Sequence, residues 1–382
     1  MEELKAGIVG AAGRPSAFLA AFRESGKVVL TAACDLNREA LDKVLDGIDG
    51  VDRYTDYIEM LDKGNLDIVI IGTPMPLHVN QSIEALQRDV NVFSEVTAAV
   101  SLEECKKLLR ACRSSRAQYM MGENCNYRKP CMVIREMVRE GVFGEVFYAE
   151  GEYLHDCRNL LYKTPWRRKY QFETRGITYG THSLGPILSW MPGDRVEYVC
   201  CTGTGRHNQD LTGRDIGGDD SAVMLCRTAG GRLIKIRTDL SSPRPYCLNY
   251  ALQGTGAAYE ERYTADDQKV SRIWVTGESE KDRWNSLDKF EEKYMPKLWR
   301  DISVKAGSFG HGGSDVMVMT DFIDSIYEGK RVPIDIYDSL DMTLPGLISQ
   351  ESIQRQGIWL PVPDPRQWQD KMEGIQNVKR TC

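Results

Sequence analysis

No stretch of this sequence stays apolar for the roughly 18 residues that a membrane-spanning helix needs, so a bilayer is not an expected partner. Runs of lysine and arginine are also missing, as is any basic zinc-finger spacing. Asp and Glu total 55 against 49 Lys and Arg, giving a net charge of −6 and a pI near 5.6. That balance argues against nucleic acid or an anionic membrane surface as the main partner. A secretory h-region is lacking, because Met1-Glu2-Glu3-Leu4-Lys5 runs directly into a strand-like segment. The eleven cysteines are odd in number and show no C-x-x-C spacing. Cys200 and Cys201 are neighbours in a strand-like segment, where successive side chains point to opposite faces. They read as reduced thiols, and a cytoplasmic location is expected. Internal repeats and low-complexity tracts are absent as well.

What remains is an ordinary globular composition, 42% hydrophobic and 27% charged over 382 residues, long enough for two domains with well-buried cores. Residues 5–10 read as a short buried strand, 11–25 as turn and helix, and 28–34 as a second strand ending at Asp35. A helix fits 37–47, followed by strand 66–71, helix 79–87, strand 90–93 and helix 102–114. This alternation predicts a parallel sheet with helices on both faces. The first turn reads Gly10-Ala11-Ala12-Gly13-Arg14-Pro15, so Ala12 and Pro15 replace the second and third glycines of the G-x-G-x-x-G fingerprint. Asp35 stands where an acidic group binds a ribose 2′-OH, and its charge would repel a 2′-phosphate, so NAD is expected over NADP. The alternative for Asp35 is a helix N-cap. Two more loops, at 72–78 and 94–99, lie at the strand ends where α/β sheets hold ligands. Thr73, Pro74, His78 and Glu95 are the cofactor candidates there, with a structural helix-start role as the alternative for His78.

Beyond residue 123 the pattern changes to a helix at 130–140 and then strands at 145–153, 196–204, 221–228, 232–240, 247–253 and 258–263. The expected fold is α/β: an N-terminal Rossmann domain over 1–122, then an α+β domain over 123–382 with a large, mostly antiparallel open-faced sheet. A late helix fits 316–327, and the charged stretch 276–305 reads as a helical excursion over the active site or a partner subunit. Tyr179 and His182 are three residues apart at the start of an apolar helix spanning 184–190, which lets both rings project on one side. A phenol and an imidazole so placed can pass protons at a sugar carbon and its hydroxyl. The alternative is a helix cap with a packed histidine. His155, Asp156, His182 and His311 show no zinc spacing, so no metal is expected. Asp219-Asp220, beside two glycines, reads as a turn.

At the strand-end loops the chain resembles the Gfo/Idh/MocA group of NAD(P)-dependent sugar oxidoreductases, in which the fourth-strand loop usually reads Glu-Lys-Pro. Here Glu95, Val96 and Thr97 fill those positions, and the hydride-assisting lysine is absent. A narrower resemblance, to glycoside hydrolase family 109, rests on Glu95-Val96-Thr97-Ala98-Ala99-Val100, Glu123-Asn124-Cys125-Asn126-Tyr127-Arg128 and Glu150-Gly151-Glu152-Tyr153. It continues through Trp166-Arg167, Tyr179-Gly180-Thr181-His182-Ser183-Leu184-Gly185-Pro186, Pro243-Arg244-Pro245-Tyr246 and Gly310-His311-Gly312-Gly313-Ser314-Asp315, spanning roughly residues 5–345. Family members often carry an export signal, not seen here, and commonly read Gly-Asn-x-Tyr-Pro where this chain reads Gly176-Ile177-Thr178-Tyr179-Gly180.

That resemblance implies NAD as cofactor, no metal, a homo-oligomer built through the open sheet face, and a sugar or glycoside as substrate. It places Gly10, Ala11, Ala12, Gly13 and Arg14 at the cofactor, and Tyr127, Arg167, Tyr179 and Tyr246 at the sugar. Tyr179 and His182 become proton carriers, with Glu95 a second candidate base or a holder of the nicotinamide end. The implied chemistry is an NAD-dependent glycosidase of the α-N-acetylgalactosaminidase type, which oxidises C3, eliminates across C1–C2, adds water and re-reduces. The alternatives are a sugar or cyclitol dehydrogenase that has replaced its lysine, and a non-catalytic sensor of NAD or sugar.

Overall fold

The computed structural model describes residues 2–264, 268–306 and 310–369. The first sheet is parallel: β1 (Leu4–Val9), β2 (Val28–Cys34), β3 (Asp52–Tyr54), β4 (Ile68–Ile71), β5 (Asn91–Ser94) and β6 (Tyr119–Met121), in the spatial order β3-β2-β1-β4-β5-β6. Helices cover both faces, so β4 is buried at every position and the segment Ala6–Val9 of β1 likewise. This is the doubly wound order with its switch point between β1 and β4, the crevice where such sheets take ligands. Two strands of this sheet escaped the sequence reading, β3 and β6. Each has only three residues, too short for an alternation to register.

The chain leaves the first sheet at Gly122 and Glu123 and builds a nine-stranded one. Its strands are β7 (Val146–Leu154), β8 (Val196–Gly203), β9 (Ser221–Thr228), β10 (Leu233–Asp239), β11 (Cys247–Gly254), β12 (Ala257–Tyr263), β13 (Lys269–Val275), β14 (Asn285–Ser286) and β15 (Leu360–Pro361). They lie in the order β14-β13-β12-β11-β7-β10-β9-β8-β15, all antiparallel except the β7–β10 pair. One face carries the helices Thr181–Ser189 and Ile336–Gln354. The other shows alternating side chains such as Tyr148, Glu150 and Glu152 of β7 opposite Leu233, Lys235 and Arg237 of β10.

The two halves share one contiguous apolar core. The helix Ser314–Tyr327, which the sequence places in the second half, packs on Leu19–Ser25 of the first. Phe18, Phe93 and Phe322 form a chain of ring contacts at 5.2 and 5.4 Å across that junction. The segment after the helix returns to the edge of the first sheet, where Met121 donates to the Ile334 carbonyl at 3.2 Å. The region 276–305 packs on its own chain: the helix Asp288–Tyr294 lies against Lys129–Arg139, and buried Trp299 donates to the Tyr127 carbonyl at 3.0 Å. Helix Ile336–Gln354, 19 residues long with Pro345 inside it, was not part of the sequence reading.

Candidate active site

A cleft of about 710 Å³ opens where the C-terminal ends of β1, β2, β4 and β5 face the second sheet. Gly10, Gly13, Arg14, Asp35, Thr73, Pro74, His78, Glu95 and Val96 line it from the first sheet, and Tyr153, Arg167, Tyr179 and His182 from the second.

The glycine-rich turn is tied down by its backbone. Gly10 and Ala11 donate to the Cys34 carbonyl at 2.9 and 3.2 Å, and Ala12 donates to Asp35 Oδ2 at 3.0 Å. Gly10 has a φ of +75°, and a Cβ on it would come within 2.9 Å of the Gly72 carbonyl oxygen, so only glycine fits. Ala11 and Ala12 do not line the cleft: Ala11 is buried in the core, and Ala12 holds the turn to Asp35. Asp35 itself lines the cleft while Oδ1 accepts from Asn37 at 2.9 Å. The N-cap of the following helix is Asn37, which accepts from Ala40 at 3.0 Å.

His78 is almost wholly buried, with Nε2 2.8 Å from the Thr73 carbonyl and Nδ1 3.2 Å from that of Thr97. Its ring staples the loops after β4 and β5 together, the structural role set against a cofactor contact, and burial lowers its affinity for a proton. Glu95 is buried at the end of β5 with Arg14 Nε at 3.3 Å. Burial raises its carboxyl above the usual range, against the pull of Arg14. Arg14 forms a two-pronged pair with Asp315 at 2.7 and 2.9 Å. Asp315, the second residue of helix Ser314–Tyr327, also accepts from Asn124 at 2.8 Å and His311 at 2.9 Å. Although burial opposes it, these hydrogen bonds bring its carboxyl down to about 2.

On the other wall, the Tyr179 and His182 rings meet edge to face with centroids 4.8 Å apart. Thr181 opens the helix, so His182 sits in its first turn and Tyr179 just before it. His182 Nδ1 donates to Glu123 Oε1 at 2.7 Å. Burial alone would lower its proton affinity, but Cys125, Glu123 and Tyr179 raise it well above the ordinary value. The Tyr179 phenol is also raised, by burial, with His182 and Arg167 pulling the other way. Arg167 lies over the Trp166 ring at 4.6 Å and donates to Gln171 at 2.8 Å, while its Nε is buried without a partner among the described residues.

One sugar-site expectation needs correction. Tyr127 does not reach the cleft: it is fully buried, its hydroxyl donating to Asp321 at 2.7 Å. Tyr246 is half exposed at the rim, with its ring 4.8 Å from His155 and 6.0 Å from Tyr153. Tyr153 is the residue that faces the cleft, 5.4 Å from His182 and 5.5 Å from Tyr179 between ring centroids. Its signal was its place in β7, one residue past the outward-facing Glu152 and so on the helix-covered face. Asn124 also lines the cleft. Of the four groups weighed for a metal, Asp156 pairs with Arg158 and His311 with Asp315. Glu123, Cys125 and His182 bring donor atoms within 4.8 Å of one another, and the His182–Glu123 hydrogen bond already uses two of them.

The strained glycine turn, Asp35 at the end of β2 and the crevice at the switch point suit a dinucleotide along the first wall. The unpartnered Arg167 N–H suits a hydroxyl or acyl oxygen on the second.

The comparisons divide the chain at the same place. A family profile described as an oxidoreductase family with NAD-binding Rossmann fold matches residues 4–123, and the first half is therefore an NAD-binding domain. A profile described as glycosyl hydrolase 109, C-terminal domain, matches residues 127–369. A glycosyl hydrolase family 109 protein of Saccharopolyspora erythraea is 28% identical, the match covering 99% of this chain and 87% of that one. An alpha-N-acetylgalactosaminidase of Shewanella oneidensis is 27% identical over 95% of this chain and 85% of its own. Among solved structures, an oxidoreductase domain protein from Kribbella flavida superposes with a TM-score of 0.78 at 19% identity, covering 95% of this chain and 100% of that one. It shares the fold.

Proposed function

Because the chain belongs to glycosyl hydrolase family 109, we propose that this NAD-dependent enzyme cleaves glycosides of N-acetylated or closely related sugars without net redox change. The observation that carries the reading is the placement of Tyr179 and His182, two proton-carrying rings 4.8 Å apart, on the cleft wall opposite the Rossmann turn. Beside them Val96, an apolar side chain, fills the position of a dehydrogenase lysine.

NAD, when bound, supplies reversible oxidation of the sugar's C3 alcohol. With C3 a ketone, the proton on C2 becomes acidic, its loss expels the C1 substituent, and water adds in its place. His182 accepts the C3 hydroxyl proton and returns it at the end of the cycle. Tyr179 acts at C2 as its phenolate, which His182 and Arg167 favour against burial, taking the C2 proton and returning it when water adds. Glu95, its carboxyl raised by burial, is the second base on the cofactor side. Arg167 binds a hydroxyl or the acyl oxygen through its free Nε, and Tyr153 packs the apolar side of the ring. The outer face of the nine-stranded sheet serves as the contact between copies of the chain, and light scattering of the purified protein checks that.

The test is turnover of chromogenic α- and β-glycosides in deuterium oxide, followed by proton NMR of the released sugar and by NADH absorbance. Deuterium at C2 with no accumulated NADH is expected. NADH accumulating with a free sugar would instead identify a net dehydrogenase. Protium retained at C2, together with unchanged turnover of a substrate deuterated there, would overturn the elimination route.

A further inference from the structure

Behind His182, on the side away from the cleft, lies a carboxylate with no assigned task. Glu123 is fully buried at the crossing between the two sheets. Its Oε1 accepts from His182 Nδ1 at 2.7 Å and from the Cys125 backbone N–H at 3.1 Å, while Oε2 has no partner among the described residues. A buried carboxylate with one idle oxygen is a poor structural choice, since that atom gives up its hydrogen bonds to water and gains none in return. The fold nevertheless brings the two side chains together closely. A Cβ on Gly185, one turn along the helix from His182, would come within 2.7 Å of Glu123 Cγ, so glycine there lets the helix settle onto Glu123.

We infer that Glu123 is a positioning residue for His182, holding Nδ1 as the hydrogen-bond donor so that Nε2 is the nitrogen presented to substrate. The carboxylate fixes the ring's tautomer and orientation, and its charge stabilises the imidazolium that forms when His182 takes a proton. Other groups face the same ring: Cys125 from the Glu123 side, Tyr153 from β7, Tyr179 from its own segment, Tyr246 at the rim and Glu95 across the cleft. Of these, Glu123 is the carboxylate hydrogen-bonded to a ring nitrogen of His182, with the Cys125 thiol also acting on the ring. This rests on the reading of His182 as a proton carrier.

The experiment compares NAD-loaded wild type with Glu123→Gln, whose amide oxygen can keep both hydrogen bonds while the charge is lost. His182 is followed by NMR in protein labelled at its five histidines, assigned by the signal missing from His182→Ala. In Glu123→Gln the His182 titration should fall by roughly 1–3 pH units, as expected on losing an adjacent opposite charge. The acid limb of the pH–rate profile should move down with it. Plateau turnover should drop on the order of 10²-fold, since a weaker base remains. An unmoved titration and an unchanged plateau would overturn the inference. A shifted titration with His182→Ala still fully active would keep the Glu123–His182 coupling and sink the catalytic reading of His182 instead. If Glu123→Gln does not fold, Glu123→Asp retains charge but shortens the reach: a lowered plateau with NAD content intact supports positioning, and an unchanged plateau refutes it.

Discussion

The two walls of the cleft are built on opposite plans. On the first, most polar groups are already spoken for: Asp35 accepts from Ala12 and Asn37, both His78 nitrogens meet backbone carbonyls, and Arg14 is clamped by Asp315, while Glu95, its carboxyl raised by burial, is the exception. On the second, Arg167 Nε lacks a partner, and the Tyr179 and His182 proton affinities are pushed from their ordinary values. A wall mostly satisfied in itself is a cradle, shaped before its ligand arrives. A wall with perturbed and idle groups is where proton chemistry is done.

The largest effects should separate the walls outright. Tyr179→Phe and His182→Ala should each lower turnover by roughly 10²–10⁴-fold, the usual worth of general acid–base catalysis. NAD content of the purified protein, measured after denaturation, should stay at the wild-type level. Loss of NAD in either variant would mean that the walls are not functionally separate.

Asp35→Ala should act on the first wall alone. Removing a charged acceptor should weaken NAD binding by about 1.5–3 kcal/mol and relax discrimination against NADP, as calorimetric titration of the stripped protein would show. NAD affinity equal to the parent's would leave Asp35 only as the clasp of the Ala12 turn.

Asp315 tests how firmly the cradle is held. Its folded carboxyl titrates at about 2 against an ordinary 3.8, so its stabilising contribution is fully present above about 4 and is lost as pH falls toward 2. That difference corresponds to about 2 kcal/mol. Urea midpoints of wild type and Asp315→Asn should therefore differ at neutral pH and converge as pH is lowered through that window.

The smallest effect belongs to Tyr127, which lies on neither wall. Tyr127→Phe should leave KM for any glycoside unchanged and reduce stability by about 1 kcal/mol, the value of one hydrogen bond, here to Asp321. A raised KM would restore it to the sugar site.

Periodicity and turn chemistry are local properties, and they sufficed for the strand–helix alternation of the first half, the change of pattern after residue 123 and the glycine turn with Asp35. Spacing alone placed Tyr179 beside His182, because three residues at a helix start bring side chains to one side whatever lies around them. Long-range partners were beyond that kind of reading. Tyr127 has the same phenol as Tyr153 and sits in as suggestive a motif, yet one is sealed in the core and the other faces the cleft. Strand parity in β7 and the packing of helix Ser314–Tyr327 on the first half decide between them. Glu123 reads in sequence as one acid in a resemblance block. Its contact with His182, 59 positions away, exists because the Thr181–Ser189 helix lies across the junction of the sheets, close enough that Gly185 can carry no side chain. Which residues were available for the chemistry was written in the chain order. Which were buried, tied to carbonyls or left with an idle oxygen was settled only when two sheets closed over one core and stripped water from the groups between them.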